Sequence, residues 1–170
     1  MRKKSQNIAK AAMIGALYVL LTYMQNLLFP GTTSAAIQFR ASEALMMLAL
    51  FTPSSIYGLT AGCFVANIIS GMPLDMIIGS FATLLTTILI YYTRNVKIKS
   101  FPFLSLLFPA LCNGLIVGTE IQFFYIGKFQ WFSLLTQIGC VALGEFAVSI
   151  ALGIPFYIFI KETNIKEILK

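Results

Sequence analysis

The residues of this sequence that are best able to do chemistry are carboxylates in apolar surroundings. Four of the six acidic residues lie within or beside long apolar stretches: Glu43, Asp75, Glu120 and Glu145. An ionisable side chain inside a membrane span costs several kcal/mol and usually marks a substrate or ion site. Glu120 and Glu145 have no basic residue within one helical turn, so each needs a distant partner, a proton or a cationic ligand.

Three further polar residues, Arg40, Asn67 and Asn113, accompany these acids in the apolar stretches. Each of these side chains also has a purely structural interpretation. Arg40 lies three residues before Glu43 and can form a local ion pair with it, Asp75 can cap a helix, and the two asparagines can link helices by hydrogen bonds. If the side chains converge instead, they form a polar pocket for a small molecule.

The composition excludes most enzymatic chemistry. The chain contains no histidine, which is the commonest general base and metal ligand. Its cysteines, Cys63, Cys112 and Cys140, are far apart and lack the spacing of a metal site or a disulfide framework. The sequence contains neither a glycine-rich phosphate loop nor a Gly-x-Ser-x-Gly turn. We therefore expect no enzyme, metal or cofactor, and any active transport must draw its energy from a partner or an ion gradient.

The elements that must position these side chains lie in a membrane. Of the 170 residues, 58% are hydrophobic and 11% are charged, whereas about a quarter of the residues in a soluble domain are charged. Apolar stretches recur from Ile8 to Ile160, which predicts one integral membrane domain over residues 1–170. The net charge of +6 does not indicate nucleic-acid binding, because the basic residues lie in short clusters between apolar stretches.

The basic clusters also predict the topology. They are Arg2, Lys3, Lys4 and Lys10, then Arg94, Lys97 and Lys99, then Lys161, Lys166 and Lys170. Such clusters mark the cytoplasmic side, so an even number of spans separates them. Because a crossing takes about 20 residues, we predict an all-α six-transmembrane-helix bundle with cytoplasmic N and C termini. Its spans cover residues 8–28, 41–52, 54–70, 74–93, 101–124 and 132–160. The second is short for a complete crossing and needs shielding by protein.

This topology gathers the polar residues in the outer half of the bundle, with Asn113 and Glu145 deepest. A polar cup closed below by apolar helix ends describes a binding pocket better than a channel. Trp131 belongs to a predicted outer aromatic belt and is a candidate roof for a planar ligand. Ala12 and Ala16, at the cytoplasmic end of the first span, clear one face for close helix approach, either within the protein or with a partner.

Several segments carry a resemblance to a known family. They are residues 38–45 (QFRASEAL), 62–67 (GCFVAN), 75–83 (DMIIGSFAT), 113–120 (NGLIVGTE) and Gly144-Glu145. They resemble the QueT branch, for queuosine precursors, of the substrate-specific S components of energy-coupling factor (ECF) transporters. The resemblance covers nearly the whole chain. Its specific parts are the Arg-x-Ser-Glu-Ala element and the segment from Asp75 to Thr83.

The resemblance implies uptake of a modified 7-deazaguanine base, such as queuine or its aminomethyl precursor, by a multi-pass protein of a bacterial cell membrane. It implies as partners a membrane T component and two ATP-binding subunits, with Ala12 and Ala16 as docking positions. Carboxylates suit the N–H donors of a guanine edge, and arginine suits its carbonyl. The expected substrate-binding residues are Arg40, Glu43, Asn67, Asp75, Asn113, Glu120, Glu145 and Trp131.

Other functions fit the same residues. Another cationic vitamin or amine satisfies the same set of donors and acceptors. A stand-alone carrier could use Glu120 or Glu145 as a proton relay, and a structural membrane subunit could use its acids only for pairing. A carrier would transport when expressed alone, an S component would only bind, and a structural subunit would do neither.

Overall fold

The helices of the protein follow the predicted apolar stretches. The computed structural model describes residues 2–32, 39–98 and 101–163 together with Ile165. Its α-helices are α1 (Arg2–Leu28), α2 (Ser54–Ile69), α3 (Pro73–Thr93), α4 (Phe103–Glu120), α5 (Trp131–Val148) and α6 (Ile154–Glu162). A 3₁₀ helix, Ala41–Leu50, precedes α2, and π-helical segments extend α4 (Ile121–Ile126) and join α5 to α6 (Ser149–Gly153). Gln38 and the basic residues Lys99, Lys166 and Lys170 lie outside the described residues.

Four helical stretches are long and apolar enough to cross a membrane: Lys4–Leu28, Pro73–Thr93, Phe103–Ile126 and Trp131–Glu162. Each overlaps one predicted span. Two shorter apolar helices, the 3₁₀ helix and α2, correspond to the predicted spans 41–52 and 54–70. The 16 residues of α2 extend over only about 24 Å at 1.5 Å per residue, which is less than the ~30 Å of a hydrocarbon core.

The 3₁₀ helix lies at the centre of the bundle. Its residues from Ser42 to Ala49 are all buried, and it contacts every α-helix of the described structure. Ten residues of 3₁₀ helix rise only about 20 Å, so this segment is too short to cross the hydrocarbon core. Protein encloses it on all sides, which satisfies the requirement that irregular backbone at membrane depth be shielded from lipid.

The turn from α2 to α3 brings two predicted site residues together. Gly71 ends α2 with a φ of +70°, a conformation that glycine adopts without strain, and Pro73 begins α3. The backbone N–H groups of Gly71 and Met72 donate to the carbonyls of Ile68 and Asn67. The chain therefore reverses within three residues, and the Asn67 amide donates to the Asp75 carbonyl at 2.9 Å.

Contacts at the two ends of the bundle show that the helical segments alternate in direction. At one end, the Tyr157 ring packs on Phe51 and Phe101 with ring centroids 5.7 and 5.3 Å apart. At the other, Arg40 pairs with Asp75. We term the end that contains Tyr157 the basic end, because basic residues lie toward it at the start of α1, after α3 and at the end of α6. The described ones are Lys4, Lys10, Arg94, Lys97 and Lys161.

The outer surface of the bundle is apolar and its centre is partly charged. Large side chains such as Ile77, Leu143 and Phe132 are exposed on the outside, whereas Glu43 and Glu145 are buried. A protein surrounded by water shows the reverse arrangement, since buried charges are costly and large apolar patches associate. Lipid is the solvent that suits this surface.

Close contact between α1 and α2 depends on glycine. The two helices run parallel, with Gly58 packed against Ala11 and Gly62 packed against Gly15 and Tyr18. A Cβ atom on Gly58 would lie 2.5 Å from the Ala11 carbonyl oxygen. Small residues at such an interface allow the backbones to approach, which is how helices gain packing energy in lipid.

We therefore expect Gly58→Ala to force α1 and α2 apart and lower the melting temperature of the purified protein, since overpacking costs about 1–3 kcal/mol. Gly139→Ala in α5 is the matched control, because a Cβ atom there meets nothing within 4 Å. The control should melt at the wild-type temperature or slightly above it. Equal melting temperatures for the two variants would contradict this account of the interface.

Candidate functional site

Four of the predicted site residues line one closed cavity. Its walls come from the start of the 3₁₀ helix, α3, α4 and α5, and its lining residues are Arg40, Glu43, Gly79, Thr83, Asn113, Val117 and Glu145. The space between them has no room for a water molecule in this conformation. The polar cavity must therefore widen to admit a ligand, since ligand pockets are usually about 300 Å³ or larger.

An ion pair between Arg40 and Asp75 holds one side of the polar cavity. Both side chains are buried, with exposed fractions of 6% and 2%, and they belong to segments 35 residues apart. A local Arg40–Glu43 pair or a helix-capping role for Asp75 therefore does not account for these residues. Gly79 lies one turn further along α3, where any side chain would overlap the Asp75 carboxylate. Its lack of a side chain makes room for the ion pair.

On the opposite side of the polar cavity, two carboxylates flank an asparagine. Tyr18 of α1 donates its hydroxyl hydrogen to Oε1 of Glu43. The Asn113 side chain lies within hydrogen-bonding reach of both Glu43 and Glu145. Within the described residues, Oε2 of Glu43, Oε2 of Glu145 and Oδ1 of Asn113 are buried without a hydrogen-bond partner.

The other predicted site residues lie outside the lining of the polar cavity. Glu120, at the end of α4, is buried beside Asp75, and neither of its oxygens has a hydrogen-bond partner within the described residues. Asn67 donates to the Asp75 carbonyl and so supports the turn that carries this acid. Trp131 is 71% exposed and packs against Phe129 with ring centroids 4.9 Å apart. The structure therefore places Trp131 on the surface, away from the polar cavity.

Gln25 of α1, which the sequence places with the other polar residues at the outer end of the first span, is a positioning residue. Its Oε1 accepts from the Ala41 N–H at 2.7 Å, and its Nε2 donates to the Phe39 carbonyl and, at 3.0 Å, to Thr32 Oγ1. The carboxamide is thus hydrogen-bonded to the backbone on both sides of Arg40, as a neighbouring β-strand would be. It satisfies an N–H at the start of the 3₁₀ helix that has no partner within that helix.

Tyr18, Gly79, Thr83 and Val117 escaped selection by residue type. Tyr18 sits in an apolar stretch, where an aromatic residue is ordinarily part of the core or faces lipid. Gly79 and Thr83 do fall within the family-like segment that begins at Asp75, and this was the only signal for them in the sequence. Val117 carries no polar group, and its only signal in the sequence is its place in the family-like segment 113–120.

A second concave surface lies on the outside of α1 and α2. This α1–α2 groove has a volume of about 1020 Å³ and is almost entirely apolar. Ala12 and Ala16 are exposed along it, whereas Ala11 and Gly15 turn toward α2. The small residues of α1 therefore serve two surfaces, one inside the protein and one facing outward. The remaining lining residues include Tyr57, Gly58, Ala61, Gly62 and Val65.

The ion pair yields a stability prediction. Asp75→Asn removes the charge that faces the buried Arg40 guanidinium, so the variant should lose about 3 kcal/mol or more of stability. The double variant Arg40→Leu/Asp75→Leu removes both charges and should melt at a higher temperature than Asp75→Asn.

Glu120→Gln is the matched control, since it neutralises a neighbouring carboxylate that has no described hydrogen bond. Its melting temperature should stay near the wild-type value. If Asp75→Asn and Glu120→Gln destabilise the protein equally, the ion pair is not what holds this side of the polar cavity.

Comparison with known proteins identifies the family. A family model described as QueT transporter matches residues 8–162. A protein of Lactococcus lactis subsp. cremoris (strain MG1363) named queuosine precursor transporter QueT is 32% identical over 159 residues, which cover 86% of this chain and 87% of that protein. No solved structure matches. The family and the named relative are transporters rather than enzymes, and this multi-pass membrane protein belongs to the QueT transporter family.

Proposed function

We propose that this chain is the substrate-binding S component of an ECF transporter that takes up a queuosine precursor. The observation that carries the proposal is the polar cavity, in which Arg40, Glu43, Asn113 and Glu145 converge inside an otherwise apolar bundle. The name of the Lactococcus relative supplies the substrate class. The family-like segments noted above contribute all seven residues that line the cavity.

The chemistry of a 7-deazaguanine base suits this cavity. The base presents ring and exocyclic N–H donors beside a carbonyl acceptor, and carboxylates and a guanidinium are the matching partners. Queuine and its aminomethyl precursor also carry an amine that is cationic at neutral pH. The cavity lining supplies two carboxylates, Glu43 and Glu145, whereas its Arg40 guanidinium is already paired with Asp75. This excess of buried negative charge favours a cationic substrate over a neutral or anionic one.

The distribution of basic residues supports an orientation. With the basic end in the cytoplasm, as the positive-inside rule requires, both termini lie inside and the polar cavity lies nearer the outer face. Six membrane-embedded helical segments then alternate in direction, the 3₁₀ helix and α2 being the two short ones. The protein is a multi-pass component of a bacterial cell membrane in this proposal.

The energy for uptake comes from partners in this proposal. The sequence has no phosphate-binding loop, and the resemblance to ECF S components implies that two separate subunits hydrolyse ATP and act through a membrane T component. The α1–α2 groove is the proposed docking surface, because Ala12 and Ala16 leave room there for another helix to approach closely. No nucleic acid, metal or cofactor is involved.

A ligand screen tests the substrate class. The purified protein should be stabilised by 7-aminomethyl-7-deazaguanine and by queuine at low micromolar concentration or below, and not by thiamine or tryptophan, which lack the guanine edge. Thermal shift and isothermal titration calorimetry measure this directly. Stabilisation by thiamine or tryptophan alone would contradict the proposed substrate.

Docking is tested by substitution in the α1–α2 groove. Ala12→Leu/Ala16→Leu should fill the groove, abolishing uptake in cells that contain the ECF partners while leaving the ligand dissociation constant within about twofold of wild type. Ala147→Leu/Ala151→Leu is the matched control, because these alanines are also exposed, four residues apart and outside the α1–α2 groove.

The control should transport normally. Loss of ligand binding in Ala12→Leu/Ala16→Leu would mean that this pair belongs to the internal packing of α1.

A stand-alone proton-coupled carrier is the second candidate, and the buried, unpaired carboxyl group of Glu120 favours it. Uptake by this chain in cells that lack T component and ATP-binding subunits would select the carrier. Ligand binding without uptake in such cells would select the S component.

A further inference from the structure

Three buried acceptor atoms of residues that line the polar cavity make no hydrogen bond within the described structure. Oε2 of Glu43 comes from the 3₁₀ helix, Oδ1 of Asn113 from α4 and Oε2 of Glu145 from α5. Each of the three residues is at most 5% exposed. Buried polar atoms are nearly always hydrogen-bonded, so three unpaired acceptors facing one space indicate that something absent from the unliganded protein supplies the donors.

The described residues around the polar cavity offer no second cation to neutralise these acids. Arg40 lies on the same cavity, but its guanidinium is engaged with Asp75. Tyr18 donates only to the other oxygen of Glu43. Two carboxylates therefore face the cavity on one side, and their burial is strongly unfavourable unless a proton or a positive charge joins them.

From this convergence we infer that Glu43, Asn113 and Glu145 form a subsite that binds the cationic ammonium group of the substrate. The primary ammonium of 7-aminomethyl-7-deazaguanine has three N–H donors, and the three acceptor atoms belong to three different helical segments that line the cavity. The inference rests on the proposed function, since it assigns one part of the proposed substrate to one part of the cavity. Glu120 lies outside the cavity lining, beside Asp75, and is not part of this subsite.

The subsite makes the amine, rather than the base, the group that Glu43 and Glu145 recognise. Replacing either glutamate by glutamine keeps the shape and one acceptor oxygen but removes the negative charge. Affinity for an amine-bearing ligand should then fall, while affinity for an equally large neutral ligand should not. Glu120→Gln makes the same chemical change outside the subsite and is the matched control.

The experiment compares two ligands on each purified protein, 7-aminomethyl-7-deazaguanine and 7-ethyl-7-deazaguanine, in which a methyl group replaces the ammonium. The quantity measured by calorimetry is the ratio of their dissociation constants, which does not depend on the fraction of protein that is folded. In the wild type the ratio should favour the amine by at least about tenfold. It should fall below about threefold in Glu145→Gln and in Glu43→Gln, and Glu120→Gln should keep the wild-type ratio.

Each outcome decides between the subsite and its alternatives. An unchanged ratio in Glu145→Gln, or a ratio that collapses in Glu120→Gln instead, overturns the assignment while leaving the proposed substrate class intact. Tight and equal binding of the two ligands by the wild type also overturns it. If the wild type binds neither base, the proposed function itself fails. Should Glu43→Gln not fold, because Tyr18 loses its charged partner, Glu145→Gln alone decides the matter.

Discussion

The buried ion pair between Arg40 and Asp75 is the contact on which the rest of the structure depends. It joins the start of the 3₁₀ helix to the first turn of α3, and removing two charges from water is favourable only when geometry and supporting hydrogen bonds are good. That support is visible. Gln25 brackets the backbone of Arg40, Asn67 holds the turn before α3, and Gly79 leaves space for the carboxylate.

The central position of the 3₁₀ helix suits a bundle that lies in lipid. In lipid there is little hydrophobic gain from pressing helices together, so close packing of small residues and polar contacts must hold the bundle. The 3₁₀ helix provides polar contacts at its first turn, through Arg40 and Glu43, and apolar packing further on, where Met46 and Met47 are fully buried. One short segment thus forms a wall of the polar cavity and the core beneath it.

Helix α1 contacts both the candidate binding site and the proposed docking surface. One face of this helix carries Ala12 and Ala16 toward the α1–α2 groove, and the face turned inward carries Tyr18 to Glu43. Glu43, which lines the polar cavity, is therefore hydrogen-bonded to the helix that also forms the proposed docking surface. The cavity is closed and dry in this conformation, which strengthens every charged contact within it.

The sequence by itself determined the membrane class, the apolar helical stretches, the family and most of the polar residues of the site, because composition, hydrophobic length and local motifs are properties of the chain. It also predicted that the polar residues gather at one end of the bundle; Arg40, Glu43, Asn113 and Glu145 line one cavity there, whereas Asn67, Asp75 and Glu120 lie outside its lining. Only the tertiary structure decided that Arg40 pairs with Asp75, that Tyr18 is hydrogen-bonded to Glu43 and Gln25 to the backbone on both sides of Arg40, and that Trp131 lies away from the polar cavity. These outcomes depend on contacts between segments far apart in the chain, and no local pattern of residues records which segments will meet.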